Sequence, residues 1–337
     1  MERSDHVLLD AGSGGRASQR FINELFVKHF DNEILATRDD AALLPSIDGK
    51  MAISTDGYTV SPLFFAGASI GSLAINGTVN DVAMLGAAPL WLSAAFIIEE
   101  GLPIETLEQV ICDMREALKK ADVKIVTGDT KVVPQGACDK LFITTTGIGR
   151  ILGQMPPSGN SAIPGDVILL SGAVGDHGLA VMAAREKLSF LESVNSDCAP
   201  LNHMIRGIIE NASAVHTLRD PTRGGLATTL NEIAEQSLVT MEIWEDRIPI
   251  HANVRDGSSL LGLDPLYLAN EGKCICIVPP EEADAALQAM KSSLYGLEAA
   301  IIGEVTSRKP GKVILHTTMG GERYLGMLEG APLPRIC

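Results

Sequence analysis

The chain has 337 residues, of which 46% are hydrophobic and 20% charged, so it holds enough apolar material for about two packed domains. Its formal net charge of −15 gives it no electrostatic reason to bind nucleic acid or an anionic membrane. No stretch reaches the ~20 apolar residues that span a bilayer, and residues 1–10 lack the apolar core of a secretory signal, so we expect a cytoplasmic protein.

The first half alternates apolar runs with helical periodicity, which is typical of a mixed α/β domain. Phe21, Leu25, Phe26 and Phe30 share one face of a helix predicted over residues 16–30. The other elements predicted in this half are helices at 66–85 and 106–121 and strands at 41–44, 51–54, 90–98, 124–126 and 141–148.

A run rich in Pro, Ser, Gly and Asn at 156–164 is the predicted linker. The elements predicted after it are helices at 178–186, 204–215, 226–236 and 281–292, strands at 167–171, 273–278 and 300–305, and a hairpin at 312–324. Glycines and prolines then predict an extended, mobile arm that ends in the thiol of Cys337. We therefore expect domains at 1–155 and 156–316 and a tail at 317–337.

Six cysteines occur, and in a chain of this size and compartment they do not predict a disulfide framework. Cys274 and Cys276 are one residue apart in an apolar run without a second pair of metal ligands. We interpret both as buried strand residues.

Aspartates recur beside Gly, Asn or Thr at four places that we expect to be turns: Asp39-Asp40, Asp56, Asp81 and Asp129. Carboxylates at strand ends can converge on one edge of a sheet, where they would hold Mg²⁺ ions against a triphosphate. The alternative is that each aspartate is an ordinary turn or capping residue.

Two glycine-rich segments, 12–15 and 171–178, could offer backbone N–H groups to phosphate. Neither is a Walker loop or a dinucleotide fingerprint. A third segment, 220–226, predicts a turn into a helix that could present Arg223 to an anion, or a rigid helix start without a ligand. His177 could act as a base, although a lone histidine is more often structural.

Together, five motifs resemble the aminoimidazole ribonucleotide synthetase superfamily, which includes selenophosphate synthetase and thiamine monophosphate kinase. The motifs are Arg38-Asp39-Asp40-Ala41, Ser54-Thr55-Asp56-Gly57, Asn80-Asp81-Val82-Ala83, Gly128-Asp129-Thr130-Lys131 and Asp220-Pro221-Thr222-Arg223-Gly224-Gly225. The ending Pro334-Arg335-Ile336-Cys337 resembles one branch, the HypE family of carbamoyl dehydratases in hydrogenase maturation. No cysteine precedes position 112, which disfavours the selenophosphate branch.

The resemblance implies two mixed α/β domains, with the N-terminal halves of a homodimer forming a shared β-barrel. It also implies ATP and Mg²⁺ at the N-terminal acidic motifs. The nucleotide-binding residues expected on this basis, with the glycine-rich segment added, are Asp39, Asp40, Asp56, Asn80, Asp81, Asp129, Thr130, Gly14 and Gly15. The expected metal ligands are Asp39, Asp56, Asp81 and Asp129.

In this family a carbamoyltransferase, HypF, places a carbamoyl group on the terminal cysteine. The resemblance implies that Cys337 carries this group, that ATP drives its dehydration to a thiocyanate, and that the cyanide passes to iron on a HypC–HypD scaffold for [NiFe]-hydrogenase. We assign phosphate contact to Lys131, beside the Asp129-Thr130 motif, and the role of base to Glu271, which needs a raised pKa and hence partial burial.

Two other functions stay open at the level of the sequence. A small-molecule kinase or ligase of the same superfamily would not need Cys337. A nucleotide-gated carrier would ferry a group on Cys337 between partners without chemistry.

Overall fold

The computed structural model describes residues 5–13, 15–39, 41–191 and 193–328, with Phe190 described by its backbone alone. These residues form two mixed α/β halves, connected by a segment without helix or strand between Ile151 and Val167.

The N-terminal half is built around one antiparallel-dominated sheet and two long helices. Its helices are α1 (Gly15–Phe21), α2 (Lys28–Phe30), α3 (Ile70–Met84) and α4 (Ile104–Ala121), with a π-helical stretch Ile22–Val27 joining the first two. Its strands are β1 (Met51–Tyr58), β2 (Phe64–Phe65), β3 (Ala68–Ser69), β4 (Ala87–Glu99), β5 (Lys124–Val133) and β6 (Leu141–Ile151).

The main sheet has the order β1-β6-β4-β5, and only β4 and β5 run parallel. A parallel pair needs a crossover, which α4 provides. Helix α3 begins with a capping box, in which Ser69 and Ser72 satisfy each other's backbone N–H groups, and it packs on β1, β4 and β6. The sheet is open in the single chain, since among the described residues β1 and β5 end it without pairing to each other.

The sheet face opposite α3 carries exposed apolar side chains. Met51 is 60% exposed, Ile53 67% and Ile97 40%. A row of such residues on one sheet face is typical of a surface that another chain covers.

The C-terminal half is a larger sheet between two helical layers. Its helices are α5 (Asp176–Glu186), α6 (Asn202–Asn211), α7 (Gly225–Ser237), α8 (Ala252–Leu261) and α9 (Ala283–Lys291). Its strands are β7 (Val167–Leu170), β8 (Thr217–Arg219), β9 (Thr240–Trp244), β10 (Ile275–Val278), β11 (Ala300–Thr306), β12 (Lys312–His316) and β13 (Glu322–Tyr324).

These seven strands form one sheet in the order β13-β12-β9-β11-β7-β10-β8. Ile168 of β7 packs in the cluster with α7, whereas Leu169 packs in the cluster with α6 and α9. Because alternate residues point to opposite faces, the central strands are buried on both sides. Cys274 and Cys276 are fully buried on the α6–α9 side, which confirms their interpretation as core residues.

The halves share core and polar contacts. Ala83 and Met84 of α3 pack in the same cluster as α6 and α9. Asn202 at the start of α6 donates through Nδ2 to the carbonyl of Ala121 at 2.8 Å. The two halves are therefore held together by apolar packing and by a hydrogen bond.

Several predicted elements were wrong or incomplete. Residues 41–44 form no strand, since their side chains are exposed or half-buried and no neighbouring strand pairs with them. β5 extends to Val133, so the Asp129 motif lies inside a strand rather than in a turn. β8, β9 and α8 were not predicted. The hairpin predicted at 312–324 is confirmed by the antiparallel pairing of β12 with β13, so the predicted tail from 317 onward includes β13.

In the part of the chain that the structure describes, none of the helices is both long and apolar enough to cross a membrane.

Candidate active site

Three side chains of the N-terminal half line the inner face of its sheet. Ser54, Asp56 and Tyr58 alternate along β1 and therefore point to the same side, towards α3. Ser54 donates through Oγ to Oδ2 of Asp81 on α3 at 2.8 Å. Tyr58 donates its hydroxyl to Oδ2 of Asp56 at 3.3 Å. Asp56 and Asp81 thus come together from a strand and a helix.

The C-terminal half adds two further acids from loops. Asp220 lies between β8 and α7, and Glu271 lies just before β10 and is 6% exposed. The backbone N–H of Glu271 donates to Oδ1 of Asp197 at 3.0 Å, and its carbonyl accepts from Nδ2 of Asn80 at 3.3 Å. We call Asp56, Asp81, Asp220 and Glu271 the carboxylate cluster.

Burial and mutual repulsion shift the pKa values within this cluster. Burial raises the pKa of Asp81 to about 7, and the charges of Asp220 and Asp56 add to the effect. Burial likewise raises the pKa of Asp220 to about 6, with a smaller contribution from Asp56 against the charge of Arg219. The pKa of Glu271 is raised by burial and then by the charges of Asp220 and its other acidic neighbours. Asp81 and Asp220 are therefore suited to exchange protons near neutral pH.

Asp129 and Lys131 lie on the other face of the sheet. Asp129 pairs with the exposed Ala95 of β4, whereas Asp56 pairs with Thr145 of β6, which is fully buried and donates to a carbonyl of α3. Thr145 pairs with Ala94 of β4, the residue next to Ala95, and successive side chains along a strand point to opposite faces of the sheet. Lys131 Nζ lies 3.0 Å from Oδ2 of Asp129, and both side chains are about two-thirds exposed. They are therefore separate from the carboxylate cluster within one chain.

Asp39 lies beside the same strand as Asp129. It lines a cavity of about 390 Å³ with Thr127 and Gly128 of β5. Thr130 lines a smaller, neighbouring cavity of about 120 Å³, and its N–H donates to Asp129 Oδ1 at 2.8 Å.

The glycine-rich segment also packs against β5. A Cβ at Gly12 would clash with Val132 of this strand, so only glycine fits there. Gly15 begins α1 with a positive φ of 72° and open space around it. Gly14, Asp40 and Cys337, three of the predicted site residues, lie outside the described residues.

Asn80, which was predicted to bind the nucleotide, makes three hydrogen bonds to the C-terminal half in the single chain. Its Nδ2 donates to the carbonyls of Ala199 and Glu271 at 3.0 and 3.3 Å, and its Oδ1 accepts from the N–H of Leu201 at 2.8 Å. The side chain is 1% exposed. Asn80 is therefore a buried link between the two halves, next to the carboxylate cluster.

The four predicted metal ligands do not form one site in the single chain. Across the described ranges, no group of three or more His, Cys, Asp or Glu side chains is close enough to hold a metal ion. The physical reason is that Asp129 lies inside β5 and points away from Asp56 and Asp81. The carboxylate cluster nevertheless fits Mg²⁺ in its chemistry, because it offers oxygen donors whose repulsion a cation would relieve.

Two residues at this site were not predicted. Asp220 was singled out only as part of a motif that could present Arg223, and its position at the end of a strand was missed because β8 was not predicted. Asp197, which holds the backbone of Glu271, has no local signal, since its partner is 74 residues away.

Comparison with known proteins places the chain in a family. Residues 38–151 match the N-terminal domain of AIR synthase related proteins, and residues 164–316 match the C-terminal domain. The chain is 47% identical to carbamoyl dehydratase HypE of Azotobacter vinelandii over 99% of this chain and 98% of that protein. It is 44% identical to carbamoyl dehydratase HypE of Escherichia coli K12 over 99% and 100% of the two chains.

Solved structures agree with this placement. A crystal structure of hydrogenase maturation protein HypE in complex with ATP matches with a TM-score of 0.95 and 55% identity, over 98% of this chain and 99% of that chain. A HypE–HypF complex matches with a TM-score of 0.81 and 47% identity, over 91% and 99%. A thiamine-monophosphate kinase from Stenotrophomonas maltophilia, 20% identical over 88% and 95% with a TM-score of 0.66, shares the fold alone. The chain therefore belongs to the HypE carbamoyl dehydratase family of AIR synthase related proteins.

Proposed function

We propose that this protein is an ATP-dependent carbamoyl dehydratase that converts an S-carbamoyl group on its own Cys337 to an S-cyanide. The observation that carries the proposal is the carboxylate cluster, in which the buried Glu271 lies near Asp56 and near two aspartates with raised pKa values, Asp81 at about 7 and Asp220 at about 6. Such a group is suited to move protons at pH 7. The similarity to carbamoyl dehydratases over the full chain supports the same reaction.

The chemistry follows from the weakness of oxide as a leaving group. Transfer of the γ-phosphoryl group of ATP to the carbonyl oxygen of S–C(=O)–NH₂ gives an S–C(–O-phosphate)=NH intermediate, ADP and one proton. Loss of the remaining N–H proton with expulsion of phosphate then gives S–C≡N. We assign Glu271 as the base that accepts a proton from the nitrogen.

Glu271 must be ionised to accept a proton. Its pKa is raised by burial and then by the charges of its acidic neighbours, so the charge state of those neighbours affects how readily it ionises. Mg²⁺ held by Asp56 and Asp81 would neutralise charge on the phosphates and favour the ionised form of Glu271. Both side chains come from rigid elements, β1 and α3, as positioning requires.

The nucleotide site is proposed to extend to β5. The similar HypE structure that contains ATP supports nucleotide binding. Asp39, Asp40, Asp129, Thr130, Gly14 and Gly15 are assigned to the nucleotide and its Mg²⁺, and Lys131 to phosphate. Of these residues, Asp129 and Lys131 lie on the opposite side of the sheet from the carboxylate cluster, so we propose that a second chain brings the two groups together.

A homodimer provides that chain. The exposed face of the N-terminal sheet presents Met51, Ile53 and Ile97, and it also carries Asp129 and Lys131. Pairing of two such open faces would form the shared β-barrel expected for the family and would bury this apolar row. In such a dimer Asp129 and Lys131 lie at the interface, where a site built from both subunits can form.

The partners follow from the reaction. A carbamoyl donor must modify Cys337, and the similar HypE–HypF complex supports HypF in that role. A HypC–HypD scaffold is the proposed acceptor of the cyanide for [NiFe]-hydrogenase, and the reaction is assigned to the cytoplasm. The Tyr267 hydroxyl donates to the carbonyl of Gly326 at 2.9 Å. We propose that the segment after Gly326 carries Cys337 between the partner and the active site.

Intact-mass spectrometry of the carbamoylated protein tests the proposal. With ATP and Mg²⁺ the wild type should lose the mass of one water per chain, and without ATP it should not. Carbamoylated protein that keeps its mass with ATP would support a carrier instead. Phosphorylation of a small molecule by a variant that lacks residues 334–337 would support a kinase.

A further inference from the structure

The loop at 195–200 passes between the two halves directly behind Glu271. The N–H of Ser196 donates to the carbonyl of Ala66 at 2.8 Å, which attaches the loop to the N-terminal half. The carbonyl of Ala199 accepts from Asn80. The loop is thus hydrogen-bonded to the N-terminal half on both sides of Asp197.

Asp197, in the middle of this loop, binds the Glu271 turn through two backbone hydrogen bonds. Its Oδ1 accepts from the N–H of Glu271 at 3.0 Å and its Oδ2 from the N–H of Gly272 at 3.3 Å. The side chain is 4% exposed. Gly272 permits this approach, since a Cβ there would clash with the carbonyl of Asp197.

Lys273 supplies the counter-charge that a buried carboxylate requires. Its Nζ lies 3.3 Å from Oδ2 of Asp197 and donates to the carbonyl of Gly272 at 3.3 Å. The Lys273 side chain is 13% exposed and lines a cavity of about 1070 Å³ on the side of the loop that faces α8. The Lys273 ammonium therefore lies against the same carboxyl group that accepts the two backbone hydrogen bonds.

We propose that Asp197, neutralised by Lys273, is the positioning residue for Glu271. Asp197 binds the backbone N–H of Glu271 and Asn80 binds its carbonyl, so both backbone polar groups of this residue are held. The Glu271 side chain is thereby oriented towards the carboxylate cluster. The expected effect of Asp197 on the reaction rests on the proposed function. Its expected effect on the Glu271 turn rests on backbone geometry alone.

The first test measures the turn without any reaction. Hydrogen exchange is followed by mass spectrometry in wild type, D197A, D197N and the control D166N. Asp166 is a matched control, because it is 1% exposed, accepts from the N–H of Ile163 at 2.9 Å and pairs with His216 at 2.8 Å, away from Glu271. We expect the amides of 271–272 to lose protection in D197A, to lose less in D197N, and to stay protected in D166N. Unchanged protection of these amides in D197A, or in D197N if D197A does not fold, would overturn the proposal.

The second test measures the reaction by loss of water from the carbamoylated chain at saturating ATP. Because a displacement of about 1 Å can cost about 100-fold in rate, we expect D197A to be slower by about that factor with an unchanged Kd for ATP, and D197N to be intermediate. In an E271Q background, D197A should have no further effect. Additive effects of D197A and E271Q would contradict the positioning role. A wild type that loses no water would refute the proposed function, while the exchange result would still decide whether Asp197 holds the turn.

Discussion

Replacing Asn80 with alanine should separate its role as a structural link from the nucleotide contact expected from its motif. The change removes three hydrogen bonds to the opposite half, from the carbonyls of Ala199 and Glu271 and the N–H of Leu201, and the Glu271 carbonyl keeps only the weak bond from the N–H of Ala199 at 3.4 Å among the described residues. Ala199 is 5% exposed and Leu201 0%, so water cannot replace the lost partner. At about 1 kcal/mol for each neutral hydrogen bond, the loss is about 3 kcal/mol.

Since the entropy of unfolding is about 2 cal/mol/K per residue, this loss corresponds to a fall in Tm of about 4 °C in a chain of 337 residues. The assay is differential scanning fluorimetry, with the ATP Kd measured by calorimetry on the same samples. Asn211→Ala is the control, because Asn211 is exposed and its side chain donates to the carbonyl of Gly207 within its own helix, so the Tm of this variant should change by less than 1 °C. A variant N80A with a normal Tm and a weakened ATP affinity would refute the reasoning.

The other predictions concern the base, a pH-dependent contact and the dimer. Glu271→Gln should lower the rate of dehydration by about 10²–10⁴-fold while ATP still binds, and an unchanged rate in single-turnover mass spectrometry would remove Glu271 as the base. Hydrogen bonding to Asp176 raises the pKa of His251, which also contacts Glu298, so the contact stabilises the fold below pH 6.5 and its contribution is lost as the pH rises through the folded-state pKa. The Tm difference between wild type and H251Q should accordingly be larger at pH 6 than at pH 9, and a pH-independent difference would contradict this. If the proposed homodimer forms through the sheet face, Ile53→Lys should convert it to monomer in size-exclusion chromatography with light scattering. Leu260→Lys, at a site that is 75% exposed, should not, and equal behaviour of the two variants would argue against the sheet face as the interface.

Much of the fold follows from local pattern. The amphipathic helix α4 carries Leu107, Val110, Ile111 and Met114 on one face, all fully buried, and periodicity alone was enough to predict it. The buried strands β4, β7 and β10 were likewise visible as apolar runs bounded by Gly or Pro. The burial of these elements can be predicted from their own residues alone.

β9 was missed because its centre is Glu242, which breaks the apolar pattern. The residue is 7% exposed, contacts His316 at 2.9 Å and forms an ion pair with Arg308 at 3.4 Å, and both partners are distant in the sequence. A charge that is paired only through tertiary structure cannot be distinguished from a surface charge in a single sequence.

The candidate site was predicted in part for the same reason. The aspartate motifs were found by composition, but they were expected in turns, and only Asp39 is outside a helix or strand among those described. Asp81 lies inside α3 and Asp129 inside β5. Strand register determines which face of the sheet an aspartate side chain lies on, and a shift of one residue moves it to the opposite face.

The most direct test of the account locates the product on the chain. Full-length protein is carbamoylated with ¹³C-labelled carbamoyl donor and the carbamoyltransferase, treated with ATP and Mg²⁺, and digested, and the C-terminal peptide is sequenced by mass spectrometry. We predict a ¹³C-cyano group on the sulfur of Cys337 and on none of the other five cysteines, and its absence from E271Q. A labelled carbamoyl group that stays intact on Cys337 after complete turnover of ATP, or a label on another residue, would contradict the account.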